Sequence, residues 1–293
     1  MMNKRFLITL CLFFSLILAA KQLDWAHAKE VQTGVKLITI EREEPRLQKI
    51  NVMRIDVANR KIRFAATGRD RDYGKPMPDF PSKTIHTKRA RTTDFVAAQQ
   101  QLNRHVIVAA NAAPWTPWTK PYTHQYGFLP GLNINQGIVV SDDHKHGAVF
   151  LVRQNGSAEI WTTRVPEKLY PELQIAVSGF FPIVIDGKCV VDGKARPDPR
   201  IAYGLSKDRR SMFIITVDGR QPGWSDGAKL DELAQLMIDA GAYNALNMDG
   251  GGSTTLLYID RGRDLPVMVN RQSLMGYTRP VASNIVIYLD NKR

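Results

Sequence analysis

The chain has 293 residues, with 40 Lys and Arg against 28 Asp and Glu, a formal charge of +12 and only two cysteines. So basic a balance implies acidic partners, and so few cysteines exclude a disulfide-stapled scaffold, leaving stability to buried apolar area. Nucleic acid is set aside, because no recognisable nucleic-acid module accompanies the charge.

In chain order, Lys4 and Arg5 precede a nearly all-apolar run from Phe6 to Ala20, and Ala26-His27-Ala28 offers a small-x-small cleavage site. The run, about 15 residues, is shorter than the roughly 20 needed to span a membrane, so residues 1–28 read as a signal peptide. An uncleaved signal anchor is the alternative. Cleavage would leave 29–293 as a single domain, periplasmic or extracellular, with no stable membrane anchor, a charge of about +10 and one cysteine, Cys189. That cysteine reads as a small buried residue rather than a nucleophile, since no histidine lies near it in sequence.

Short Val- and Ile-rich runs bounded by Gly, Asn, Asp and Pro predict strands. They cover 35–40, 51–57, 61–66, 106–110, 132–140, 148–153, 158–162, 183–185, 212–217, 254–259 and 284–289. Helices are predicted over 90–102 and over 229–240, where Leu230, Leu233, Ala234, Met237 and Ile238 form an apolar stripe ended by Gly241. Many strands with few helices and no regular βαβ alternation predict an α+β fold of mixed or antiparallel sheets. Residues 68–91, with Pro76, Pro78, Pro81 and many basic side chains, read as a solvated loop or as a lid over an acidic substrate.

The chemistry concentrates at Asn247-Met248-Asp249-Gly250-Gly251-Gly252-Ser253-Thr254-Thr255. Three bare backbone units beside hydroxyls can bind an anion, with Asp249 placed to act on it. Ile214 to Arg220 ends a strand in Asp218-Gly219-Arg220, which is either an ordinary turn or a site. A helix and a return strand over 245–249 would then bring Asp218 and Asp249 to neighbouring strand ends, and a carboxylate pair at one rim is the equipment for glycoside cleavage. Arg200, Arg220 and Arg279 would be surface residues taken singly, but together can clamp phosphate or carboxylate oxygens. Asn111 opens a loop carrying Trp115 and Trp118, followed by Tyr122 and Tyr126, which reads equally as a sugar platform or as satellite core. Asp142-Asp143-His144-Lys145-His146 has metal-ligating residue types but no defined spacing, and reads better as a polar turn.

These residues resemble the phosphodiester glycosidase domain family, which includes the lysosomal uncovering enzyme and many exported bacterial proteins associated with exopolysaccharide biosynthesis. The likeness rests on Asp218-Gly219-Arg220, the 229–240 helix, Asn247 to Thr255 and the closing Arg279-Pro280-Val281-Ala282-Ser283-Asn284, and is best over 175–289. Ser178-Gly179-Phe180-Phe181-Pro182 and Arg200 to Gly204 match further family segments. Where the family commonly has Asn-Gly-Gly-Phe-Phe this chain reads Asn111-Ala112-Ala113-Pro114-Trp115.

The resemblance implies cleavage between an anomeric carbon and a phosphate oxygen. Asp249 would act directly and Asp218 in support, with Asn111, Arg200, Arg220, Asn247, Gly250, Gly251, Gly252, Ser253, Thr254 and Arg279 binding an anionic or phosphate-containing glycan. The mechanism requires no cofactor. Two other functions compete with it: a non-catalytic envelope protein that binds anionic glycan, and a metal-dependent phosphodiesterase.

Overall fold

Side-chain alternation along the strands decides how the layers stack. In Ser211–Val217, Met212 and Ile214 enter one core while Phe213, Ile215 and Val217 enter another, the period of two expected of a strand covered on both faces. Gln48–Asp56 splits in the same way, Met53 and Ile55 to one side, Ile50 and Val52 to the other. The computed structural model describes residues 22–119, 123–273 and 277–290. Lys4, Arg5 and Phe6 to Ala20, with Cys11 within them, and Tyr122 lie outside that range.

Eight strands form the largest sheet, in the order Lys29–Gln32, Val35–Arg42, Gln48–Asp56, Ser211–Val217, Arg200–Leu205, Asn244–Asn247, Phe181–Ile185 and Lys188–Cys189. A second sheet runs Ile138–Asp142, Leu132–Asn135, Leu173–Gly179, Ala148–Arg153 and Ala158–Trp161. A third runs Pro266–Met268, Leu256–Ile259, His105–Asn111, Asn284–Leu289 and Ile62–Ala66. Neighbouring strands in all three sheets are antiparallel. The largest core lies where one face of each sheet meets the others, through residues such as Ile201, Tyr203, Phe150, Val177, Phe64 and Ile285. The helix Leu230–Ala240 covers the back of the large sheet with Leu233, Ala234 and Met237, and ends at Gly241 in the left-handed conformation, φ 104°. The helix Thr92–Gln101 covers the third sheet through Phe95 and Val96. The fold is α+β, built on antiparallel sheets.

Several expectations change. The run 132–140 is two strands, because Gln136 and Gly137 both take positive φ, 52° and 75°, and close a two-residue hairpin. Residues 68–91 are mostly exposed or half-buried, as a solvated loop would be, but they are anchored: Met77, Ile85, His86 and Thr87 are buried, and Thr87–Lys88 pairs with Tyr126–Gly127. Cys189 is exposed, not buried, because it sits on the edge strand of the large sheet. Leu23 and Trp25, upstream of the Ala26-His27-Ala28 motif, pack on the back of the large sheet, and the Trp25 indole N–H donates to the Ala240 carbonyl at 3.1 Å.

The change that matters most for the site concerns Arg200–Leu205. This strand lies between Ser211–Val217 and Asn244–Asn247 and pairs with both. Asp218 and Asp249 therefore do not follow neighbouring strands; they are two strand spacings apart, roughly 10 Å. The strand between them brings in Arg200 at its first position.

Candidate active site

The loop after Asn244–Asn247 is held from both sides. Asn111 is buried at the end of its strand; its Nδ2 donates to the Asp249 carbonyl at 2.6 Å and its Oδ1 accepts the Thr255 N–H at 2.9 Å. The Asp249 N–H reaches the Ala112 carbonyl at 3.1 Å, and the Gly251 N–H reaches the Pro199 carbonyl at 2.8 Å. Ser253 N–H turns back to the Gly250 carbonyl at 3.2 Å, closing a short 3₁₀ turn over Gly251–Ser253. Asn111 thus braces the loop instead of facing a ligand.

The glycines serve a different end from the one their sequence suggests. Much of the loop's N–H capacity is spent inside the protein, and what the missing side chains admit is neighbouring groups. A Cβ on Gly252 would lie 2.6 Å from Arg279 Nη2, one on Gly250 would lie 2.7 Å from the Pro199 carbonyl oxygen, and one on Gly251 would lie 3.3 Å from Arg220 Nη2. Gly251 also takes φ 61°. The bare backbone is a floor on which two guanidiniums rest, and these, more than converging N–H groups, supply the positive surface.

That surface lines a cavity of about 530 Å³. Asp249, Gly250, Gly251, Gly252 and Asn247 form one wall; Arg200, Arg220 and Arg279 supply the cations; Arg89 lies over the Trp115 ring; and Trp115, Trp118, Phe180 and Tyr277 supply aromatic faces. Arg200 is braced by backbone carbonyls, its Nε donating to Ala228 at 3.1 Å and its Nη2 to Arg196 at 3.0 Å, so no carboxylate is needed to hold it. Arg220 instead makes a bidentate pair with Asp198, 2.7 and 2.8 Å, which spends much of its charge. Asn247 Oδ1 is buried without a hydrogen-bond partner although its residue lines the cavity. An orphaned acceptor at a cavity wall is a place for a ligand hydroxyl or N–H.

Asp249 is 3 % exposed, and its Oδ2 accepts the Trp115 indole N–H at 3.0 Å. Burial pushes its carboxyl up from 3.8 to about 7, against the Ser253 hydroxyl, the Arg279 charge and the Trp115 N–H, which favour the ionised form. Asp218 is equally buried, and burial pushes it up to about 6, against the Trp224 indole and the Arg271 N–H. Trp224 Nε1 donates to its Oδ2 at 2.8 Å, and the Arg271 N–H lies 3.1 Å from both oxygens. Asp218 is not among the cavity's lining residues.

Ser253 and Thr254 are buried behind the wall; Arg279 Nη1 donates to Ser253 Oγ at 3.5 Å, and the Thr254 hydroxyl has no hydrogen-bond partner. Of the aromatic loop, Trp115 and Trp118 line the cavity, whereas Tyr126 donates to Asp72. Arg89, Phe180, Asp198 and Tyr277 also line the cavity, and none of them stands out in the sequence as a site residue. Arg89 belongs to the stretch read as a solvated loop or a lid over an acidic substrate, and the pairing of Ala90 with Val281 that carries it beside Arg279 is a long-range contact with no local signature. In the 142–146 segment His144 Nε2 lies 3.0 Å from Asp142 Oδ1, and among the described residues no three His, Cys, Asp or Glu side chains are grouped to hold a metal.

The fold is that of a known class. The sequence profile of the phosphodiester glycosidase family matches residues 104–288, and the chain belongs to that family. Among solved structures it is similar to the zebrafish N-acetylglucosamine-1-phosphodiester alpha-N-acetylglucosaminidase catalytic domain auto-inhibited by its pro-peptide. The TM-score there is 0.61 at 16 % identity, over 90 % of this chain and 87 % of that one. It is also similar to a hypothetical protein from Synechocystis, with TM-score 0.59 and 12 % identity over 88 % of this chain and 62 % of the other. A Burkholderia pseudomallei protein described as exported aligns with TM-score 0.51 and 14 % identity, over 83 % and 74 % of the two chains. No curated protein matches the chain by sequence.

Proposed function

We propose that the chain is an exported glycosidase that cleaves sugar-1-phosphodiester bonds in envelope or extracellular glycans, within exopolysaccharide metabolism. The observation that carries this reading is the meeting of Asp249 with Arg200, Arg220 and Arg279 in one cavity large enough for a sugar phosphate. Family membership and the N-acetylglucosamine phosphodiester named for the zebrafish relative support the reaction class. The leader pattern and the likeness to an exported protein support the location.

Phosphate is a better leaving group than an alcohol, so cations that hold its charge matter more than a strong general acid. Ionised Asp249 takes a proton from water as the water oxygen bonds to the anomeric carbon. The bond from that carbon to the phosphate oxygen breaks, its electron pair going to the phosphate, where the guanidiniums hold it. A carboxyl held near pH 7 suits this work as a base. Asn247 Oδ1 accepts from a sugar hydroxyl or amide, and the aromatic faces carry the sugar's apolar side. Asp218 has a bracing role, fixing the turn at Trp224 and the chain at Arg271.

The test is product identity on a panel of sugar-1-phosphodiesters. Free sugar is expected, with release falling on the order of 10²-fold or more in Asp249→Asn. Sugar phosphate as product would instead indicate a phosphodiesterase that cuts the other bond. Saturable, salt-sensitive polysaccharide binding without turnover would indicate a glycan-binding protein.

A further inference from the structure

We propose that Arg89 and Trp115 are positioning residues that fix the orientation and proton affinity of Asp249, Arg89 acting through the indole ring rather than on the substrate. This rests on the reading of Asp249 as the reacting carboxylate. Arg89 lies upstream of the segment that matches the family profile, and Trp115 and Asp249 lie within it.

The contacts form a continuous chain. His124 Nδ1 faces the Tyr126 carbonyl at 3.0 Å, which fixes the proton on that nitrogen and leaves Nε2 as an acceptor for Arg89 Nη1 at 3.1 Å. Burial and the Arg89 charge both hold His124 in its neutral form. Arg89 Nη1 also donates to the His124 carbonyl at 2.6 Å, and its Nε donates to the Pro280 carbonyl at 3.2 Å. So anchored, the guanidinium lies over the Trp115 ring, 4.7 Å from its centre. The same indole donates its N–H to Asp249 Oδ2 at 3.0 Å.

Each link has a physical consequence. A cation over the indole face draws on the ring's electrons and makes the N–H a stronger donor. A stronger donor at Oδ2 favours the ionised carboxylate and stops it turning. The cation that acts directly on the Asp249 charge is Arg279, with the Ser253 hydroxyl beside it. Arg200, the Arg220–Asp198 pair and Tyr277 face the same cavity from other elements. With Arg89 Nε and Nη1 held by backbone carbonyls and the imidazole, its contact with the Trp115 ring is the link toward Asp249.

The experiment follows the carboxyl carbon of Asp249 by NMR in the full-length protein labelled at aspartate, the resonance being assigned by its loss in Asp249→Asn. Trp115→Phe keeps a ring for Arg89 but removes the N–H, and should raise the Asp249 titration by about one pH unit. Arg89→Gln should raise it by roughly half as much and move the Trp115 indole proton upfield. The double variant should rise no further than Trp115→Phe alone, since the two residues act in series. Thermal unfolding of each variant, measured alongside, confirms that the fold is kept. An unchanged titration in Trp115→Phe overturns the proposal, as do additive shifts or an Arg89→Gln variant whose only effect is a raised KM. Sugar release by Asp249→Asn is assayed separately: undiminished release overturns the reading of Asp249 as the reacting carboxylate, whatever the titrations show.

Discussion

Asp249 and Asp218 are near twins in their surroundings and opposites in what lies beyond them. Each follows a strand of the large sheet, each is almost wholly buried, and each accepts an indole N–H, from Trp115 at 3.0 Å and from Trp224 at 2.8 Å. Burial raises both, to about 7 and about 6. Yet Asp249 borders a cavity lined by guanidiniums, while Asp218 is closed in by the Arg271 N–H and by the Trp224 and Ser225 turn, where Ser225 Oγ donates to its carbonyl at 2.6 Å. A raised carboxyl is therefore no signature of chemistry by itself. What separates the two is whether the far side of the carboxylate is open space with a complementary charge or more protein.

Glycine substitutions give the sharpest way to break that comparison. Gly252→Ala places a Cβ against the Arg279 guanidinium and should lower sugar release on the order of 10²-fold with little change in the unfolding midpoint, since a displaced cation misplaces the leaving phosphate. Gly219→Ala, whose Cβ would lie 2.7 Å from the Pro199 nitrogen beside Asp218, should instead act on stability. Equal effects of both on both readouts would remove the distinction. Next in size, Asp218→Asn puts an amide against N–H donors and should cost about 1–3 kcal/mol in denaturant unfolding, with activity within a few-fold of wild type.

The smallest effect is the pH dependence of stability. Both carboxyls titrate higher in the folded chain than the ordinary 3.8. The native state thus keeps protons that the unfolded chain has released. The stability this gives is present below the unfolded value and is lost as pH rises through about 6 and about 7. Unfolding free energy should therefore decline over that window, and Asp249→Asn should flatten the decline and sit a few degrees above wild type in midpoint on the alkaline side. A wild-type curve flat across the window would contradict the burial argument.

Much of this molecule was legible residue by residue. The apolar stripe from Leu230 to Ile238 and its stop at Gly241 are local facts, and so are the alternating strands. The glycine run was visible as special, but its purpose was not: only the fold shows that Arg220 and Arg279 arrive from distant segments to rest on it. The insertion of Arg200–Leu205 between two strands separated from it by turns and a helix was equally hidden, because strand order is set by long-range pairing. It separates the carboxylates that the sequence invites one to pair. Arg89 was out of reach for the same reason, its place being fixed by a bridge between Ala90 and Val281.

The most direct test of the account is a side-by-side assay of free-sugar release from a sugar-1-phosphodiester by wild type, Asp249→Asn and Asp218→Asn. The account predicts that Asp249→Asn loses on the order of 10²-fold or more while Asp218→Asn, under conditions where it stays folded, keeps activity near that of wild type. An active Asp249→Asn beside a folded but inactive Asp218→Asn would contradict it.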